Sequence, residues 1–164
     1  MRYESFEGII KEIKERTLIY CKIKYSDQTI LLKLNASIPI VHGKSFNLLN
    51  MNDLKVGQFF KAYVQSQDFE YGKDSLEYKP SIFVVNEAEK FFEVTIGQYD
   101  EKSNMLGNEL LTRIDESAII SSTTGLLKYK EGMFKERDLA AFYKIRTLSI
   151  PPKATPQLWV ILGK

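Results

Sequence analysis

One cysteine and one histidine are all the thiol and imidazole chemistry in this chain of 164 residues. With Cys21 alone, no internal disulfide and no cysteine-based metal site can be built. Cys21 alternates with apolar neighbours and reads as a packing residue, so no Cys21–His42 nucleophilic pair is expected. His42 sits in Ile40-Val41-His42-Gly43-Lys44, a turn after an apolar stretch. There is no Gly-x-Ser-x-Gly elbow and no glycine-rich run leading into Lys-Ser/Thr. No apolar run approaches the roughly twenty residues that span a bilayer, so membrane insertion is not expected. Met1-Arg2-Tyr3-Glu4-Ser5 lacks the apolar core of a signal peptide. The expected location is cytoplasmic as written, and extracellular if the chain was trimmed from a longer one. Net charge is scarce as well: +2, too small by itself to point to a nucleic-acid or membrane partner.

Carboxylates are plentiful, but their spacing names no reaction. Asp68, Glu70, Asp74 and Glu77 share one segment with Gly72. Oxygen ligands suit calcium, but the spacing is not that of an EF-hand, and the segment reads as a solvated hairpin tip. No metal, cofactor or enzymatic activity is expected. Charge is unevenly spread: Ser66 to Glu101 has nine acidic and three basic residues, a balance of −6. Leu126 to Lys153 has seven basic and three acidic residues, a balance of +4.

What the chain does have is aromatic and alternating. Ten Phe, nine Tyr and a 44% hydrophobic fraction belong to a folded chain. Ile19, Cys21, Ile23 and Tyr25 alternate with Tyr20, Lys22 and Lys24, and Ile30, Leu32 and Leu34 follow after Ser26-Asp27-Gln28. This period of two predicts a strand hairpin with one buried face. Further strands are predicted at Phe6 to Ile13, Gln58 to Gln65 and Ser81 to Val85. The second half adds Phe92 to Tyr99, Leu110 to Ile114, Leu139 to Leu148 and Gln157 to Leu162. Only Glu87 to Phe92 and Glu131 to Phe142 carry any helical pattern.

The halves resemble each other at a spacing of about eighty residues. Leu32 to Ser37 lines up with Thr112 to Ser117, Leu54-Lys55 with Phe134-Lys135, and Tyr63 with Tyr143. Phe6 to Ile10 resembles Phe92 to Ile96, and Val84-Val85 matches Ile161-Leu162. The expectation is an all-β chain of two tandem OB-like five-stranded barrels, residues 1–88 and 89–164. Closure would hide the edges of so small a sheet. A β-sandwich spanning both halves is the alternative.

The motifs are Gly8-Ile9-Ile10, Asp53-Leu54-Lys55-Val56-Gly57 and Ser149-Ile150-Pro151-Pro152. Together this set resembles the tandem small β modules of clostridial and Bacillus-type proteins, Gram-positive bacterial proteins often found at the cell surface. The signature is split: the first half has the Asp-Leu-x-x-Gly loop, the second the Pro-Pro segment. The resemblance implies a fold and no shared activity. Structural roles account for these residues. Gly57 suits a positive φ, Asp53 bonds the backbone two residues on, and Pro151-Pro152 ends strand pairing.

The expected function is a non-enzymatic protein-interaction or structural module, such as an inhibitor or a cell-surface-associated binding module. A single-stranded nucleic-acid binder is the alternative, because Tyr20 and Lys22 share one strand face and Phe59, Lys61 and Tyr63 another. These five residues and a Pro151-Pro152 rim are the candidate binding residues. Their tyrosines and lysines are also ordinary cross-strand neighbours.

Overall fold

A computed structural model of the protein describes residues 3–66, 77–115, 117–122 and 125–162. Asp68, Glu70 and Asp74 of the acidic segment lie outside the described residues. The chain is all-β, and no α-helix occurs among the described residues. No helix among them is long and apolar enough to cross a membrane. Two compact units meet in sequence between Phe91 and Phe92.

Among the described residues the first unit has eight strands. They are β1 (Tyr3–Lys14), β2 (Leu18–Ile23), β3 (Thr29–Lys33), β4 (Ile40–His42), β5 (Leu48–Leu49), β6 (Phe59–Gln65), β7 (Glu77–Tyr78) and β8 (Ile82–Asn86). Their order in the sheet is β5-β4-β8-β6-β1-β2-β3-β7. β1 pairs with β6 over Tyr3 to Ile9 and with β2 over Gly8 to Lys14, with a register shift between Ile10 and Glu12. Such a shift bends a strand and increases its twist. Alternate residues of β1, β2 and β6 point inward, so Ile10, Ile19, Cys21, Phe60 and Ala62 join Phe83 and Val85 in one core.

The second unit has β9 (Glu93–Asp100), β10 (Met105–Leu106), β11 (Leu110–Leu111), β12 (Ile120–Ser122), β13 (Gly125–Leu127), β14 (Asp138–Tyr143) and β15 (Leu158–Ile161). Their order is β11-β10-β9-β14-β15-β12-β13. The first sheet, followed from β3, runs β3-β2-β1-β6-β8-β4-β5 with the same pairing senses. β4 lies parallel to β8 as β12 lies parallel to β15, and the other shared pairs are antiparallel. Phe60 sits between Gly8 and Val85, and Leu139 sits between Gly97 and Ile161. Trp159, Phe134, Tyr143 and Leu106 anchor the second core. Tyr99 crosses Trp159 edge-to-face at 6.0 Å, and Tyr129 stacks on Phe134 at 5.8 Å.

Neither sheet closes into a barrel. The described pairings leave β5 and β7 at the ends of one sheet, and β11 and β13 at the ends of the other. Among the described residues the end strands have two or three residues, which offers little edge to another chain. Two open sheets are the strand content that the sandwich alternative requires. Neither helix candidate is helical. Residues 87–92 are irregular, and Glu131 to Glu136 is a run of turns. That run contains Gly132 at φ 81° and buries Phe134.

Aligning the sheets by their pairing sets Tyr63 opposite Phe142, and Val64 opposite Tyr143. The sequence alignment at a constant spacing slips there because the connecting loops differ in length. The Asn/Asp-x-Ser turn keeps its geometry. The Ser37 amide donates to Asn35 Oδ1 at 2.8 Å, and the Ser117 amide donates to Asp115 Oδ1 at 2.8 Å. Gly57 has φ 94°. Asp53 bonds the backbone three residues back, not two ahead: its Oδ2 accepts from the Asn50 amide at 3.0 Å.

Two glycines hold equivalent places. A Cβ on Gly8 would land on the Lys22 carbonyl oxygen, and one on Gly97 would stand 2.5 Å from the Gly107 Cα. Both obstacles are backbone, which cannot swing aside. Gly8→Ala and Gly97→Ala are each expected to destabilise by about 2–3 kcal/mol, measured by denaturant unfolding. Thr112 follows β11 as Leu34 follows β3. Its buried Oγ1 has no hydrogen-bond partner among the described residues. Thr112→Val is expected to raise stability by about 1 kcal/mol in the same measurement.

Candidate functional site

The outward residues of β1, β2 and β6 form one face. Ile9 is paired with Lys22 on one side and Phe59 on the other, which makes a row across three strands. A second row lies beside it. Glu7 pairs with Lys61, and the Lys24 amide donates to the Glu7 carbonyl at 2.8 Å. Between and beside these rows is a groove of about 280 Å³. Ile9 and Phe59 supply apolar walls, Lys22, Lys24 and Glu89 the charges, and Tyr25 an aromatic ring.

Each lysine of this face already has a carboxylate. Lys24 Nζ is 2.8 Å from Glu89 and 3.8 Å from Glu7. Lys61 is 3.9 Å from Glu7, and Lys22 is 3.9 Å from Asp27. The hydrogen bond to Glu89 is the main reason that Lys24 titrates above an ordinary lysine. The face is therefore polar in both signs and close to neutral.

Tyr25 is 96% exposed, and its backbone has φ 61°. A bulky residue in the left-handed region costs roughly 1–2 kcal/mol, and glycine or asparagine is the usual occupant. The ring contributes no burial to offset that cost. The Lys24 Nζ lies 5.0 Å from the ring centroid.

Of the residues expected from sequence, Lys22 and Phe59 line the groove, and Tyr20 and Lys61 flank it on the same face. Lys14 caps the Tyr20 ring at 5.2 Å. Tyr63 shares the face but is only 8% exposed, so its ring is not open to a ligand. Pro151 and Pro152 belong to the second unit. Sequence reasoning missed Ile9, Tyr25 and Glu89. The unusual φ of Tyr25 leaves no trace in a pattern of two, and Glu89 reaches Lys24 through the fold alone.

The groups that carried a chemical question are otherwise engaged. Cys21 is fully buried, and burial pushes its thiol well above the ordinary range, which disfavours the nucleophilic thiolate. The Nδ1 atom of His42 accepts from the Lys44 and Ser45 amides at 3.2 and 3.3 Å. Its Nε2 therefore carries the hydrogen and donates to Glu87 Oε2 at 2.7 Å. Both ring nitrogens are thus occupied. No group of three or more metal-ligating side chains occurs among the described residues.

In the second unit the chain leaves β14 at Tyr143 and makes a braced loop. Arg146 and Ala154 form an antiparallel bridge at its neck. The Thr147 amide donates to the Lys153 carbonyl at 2.9 Å, and the Lys153 amide donates to Thr147 Oγ1 at 2.9 Å. Ser149 Oγ donates to the Pro151 carbonyl at 2.9 Å, and the Leu111 amide donates to the Pro152 carbonyl at 2.9 Å. The Ile150–Pro151 bond is cis.

No protein-family model, curated protein or solved structure matches this chain.

The hydrogen bond from His42 is the largest cause holding the Glu87 carboxyl below the usual glutamate range. A carboxyl with a lowered folded value stabilises the fold above its unfolded value, near about pH 4.3. That contribution fades as pH falls through the folded value. A carboxyl NMR titration is expected to give a midpoint below that of an ordinary glutamate. A midpoint at or above it would mean that the pair does not form.

Proposed function

We propose that this chain is a non-enzymatic protein-interaction module made of two diverged copies of one β fold. The shared strand order, the paired glycines Gly8 and Gly97, and the two identical Asn/Asp-x-Ser turns support common descent of the copies. Their connecting segments have diverged, as the resemblance to tandem β modules of Gram-positive bacteria also implies. A binding role at a cell surface or as an inhibitor fits this reading.

One observation carries the choice of a protein partner: the groove pairs apolar walls and an exposed, strained tyrosine with lysines already neutralised by carboxylates. A nucleic acid gains affinity when unpaired lysines displace the condensed counterions of its phosphates into solvent, and this face has few such lysines. An apolar protein side chain gains by leaving water against Ile9 and Phe59. Tyrosine is among the residues that most often dominate such contacts.

Tyr25→Gly tests the reading, because it removes the ring and relieves the backbone. Peptides selected from a displayed random library on the whole chain are expected to bind this variant at least about tenfold more weakly, a loss of about 1.4 kcal/mol. Its unfolding free energy should stay within about 1 kcal/mol of the parent. Peptides that bind both forms equally would refute the groove. Salt-sensitive retardation of a single-stranded oligonucleotide, lost on Tyr20→Ala and Phe59→Ala, would instead establish the nucleic-acid alternative.

A further inference from the structure

We propose that the loop spanning residues 144–153 of the second unit is a membrane-surface anchor, which seats Leu148 and Ile150 in an anionic lipid interface. This rests on observations separate from the groove. Leu148 is 100% exposed, Ile150 is 99% exposed and Ile145 is 81% exposed. Scattered apolar residues on a surface are ordinary, but three within six positions of one loop form a patch.

The loop sorts its chemistry by position. The run is Lys144-Ile145-Arg146-Thr147-Leu148-Ser149-Ile150-Pro151-Pro152-Lys153, with three cations and no acid. Arg146 bridges to Ala154, and the Thr147 amide bonds the Lys153 carbonyl, so Arg146 and Lys153 stand together at the neck. Leu148, Ile150 and Pro151 make the far end. Neither Arg146 nor Lys153 takes part in an ion pair among the described residues. An apolar end beyond a basic neck matches the depth order of an anionic interface. There the side chains reach the acyl boundary while lysine and arginine stay at the headgroups.

One further feature favours lipid over a protein pocket. Side chains exposed to this degree touch almost nothing of their own chain. A lipid surface receives such projecting groups without a matching cavity.

Co-sedimentation of the whole chain with vesicles tests this. Binding is expected to vesicles containing about a third phosphatidylglycerol and not to pure phosphatidylcholine, and to weaken as salt rises. The double variant Leu148→Ser, Ile150→Ser should bind at least about tenfold more weakly. Its near-ultraviolet circular dichroism should be unchanged, because neither side chain packs in the fold. Arg146→Gln with Lys153→Gln should also weaken binding and flatten its salt dependence. Leu148→Trp should shift its emission to the blue on adding the anionic vesicles. Vesicle binding that survives the serine double variant would overturn insertion of the loop. No binding to anionic vesicles would overturn the proposal outright and leave an acidic protein surface as the loop's occupant.

Discussion

The first sheet depends on how closely β1 can lie against β2, and Gly8 sets that distance. Any side chain there would strike the Lys22 carbonyl oxygen. β1 is also the strand that β6 and β2 share, and their pairings overlap at Gly8 and Ile9. The close approach therefore brings Lys22 and Phe59 to either side of Ile9. It also carries Lys24 over Glu7. The inward neighbours Ile10, Cys21 and Phe60 are drawn into one core by the same register. Core and groove are two faces of one strand alignment. Gly97 plays the same part against Gly107 in the second unit.

The sheets also keep their edges from being a hazard without closing. An exposed strand edge invites pairing with another chain. Closure into a barrel is one remedy, and very short end strands are another. Among its described residues this chain has the second. In the first unit, the segment between β5 and β6 holds the short 3₁₀ turn Met51–Asp53, capped by Asn50. In the second, the segment between β14 and β15 forms a hydrogen-bonded loop whose apolar end faces solvent. The two units thus share one strand order and differ in their connecting segments.

Strands with a long alternating run are legible in the amino-acid order itself. Ile19 to Ile23 and Phe59 to Gln65 are examples, because one buried face imposes a period of two over several residues. The two- and three-residue strands β4, β5, β7, β10, β12 and β13 carry no such period, since they are too short to show one. In the helix candidate Glu131 to Phe142, Gly132 and Glu136 have positive φ and residues from Asp138 on are strand β14. Within the site, Lys22 and Phe59 are legible as outward residues of predicted strands. Tyr63 falls on the face its parity predicts, yet burial depends on what covers that face and not on parity.

Local sequence determined the all-β class, the pairing of the first hairpin, the inward placement of Cys21 and the recurrence of the Asn/Asp-x-Ser turn. Each follows from alternation or from a hydrogen bond spanning two or three residues. Tertiary structure alone decided that the sheets stay open, since closure depends on whether distant end strands meet. It alone brought Glu89 to Lys24, because a contact between such separated residues is set by the path of the whole sheet. It alone left Leu148 and Ile150 in solvent, where the same leucine and isoleucine in a strand would have been core.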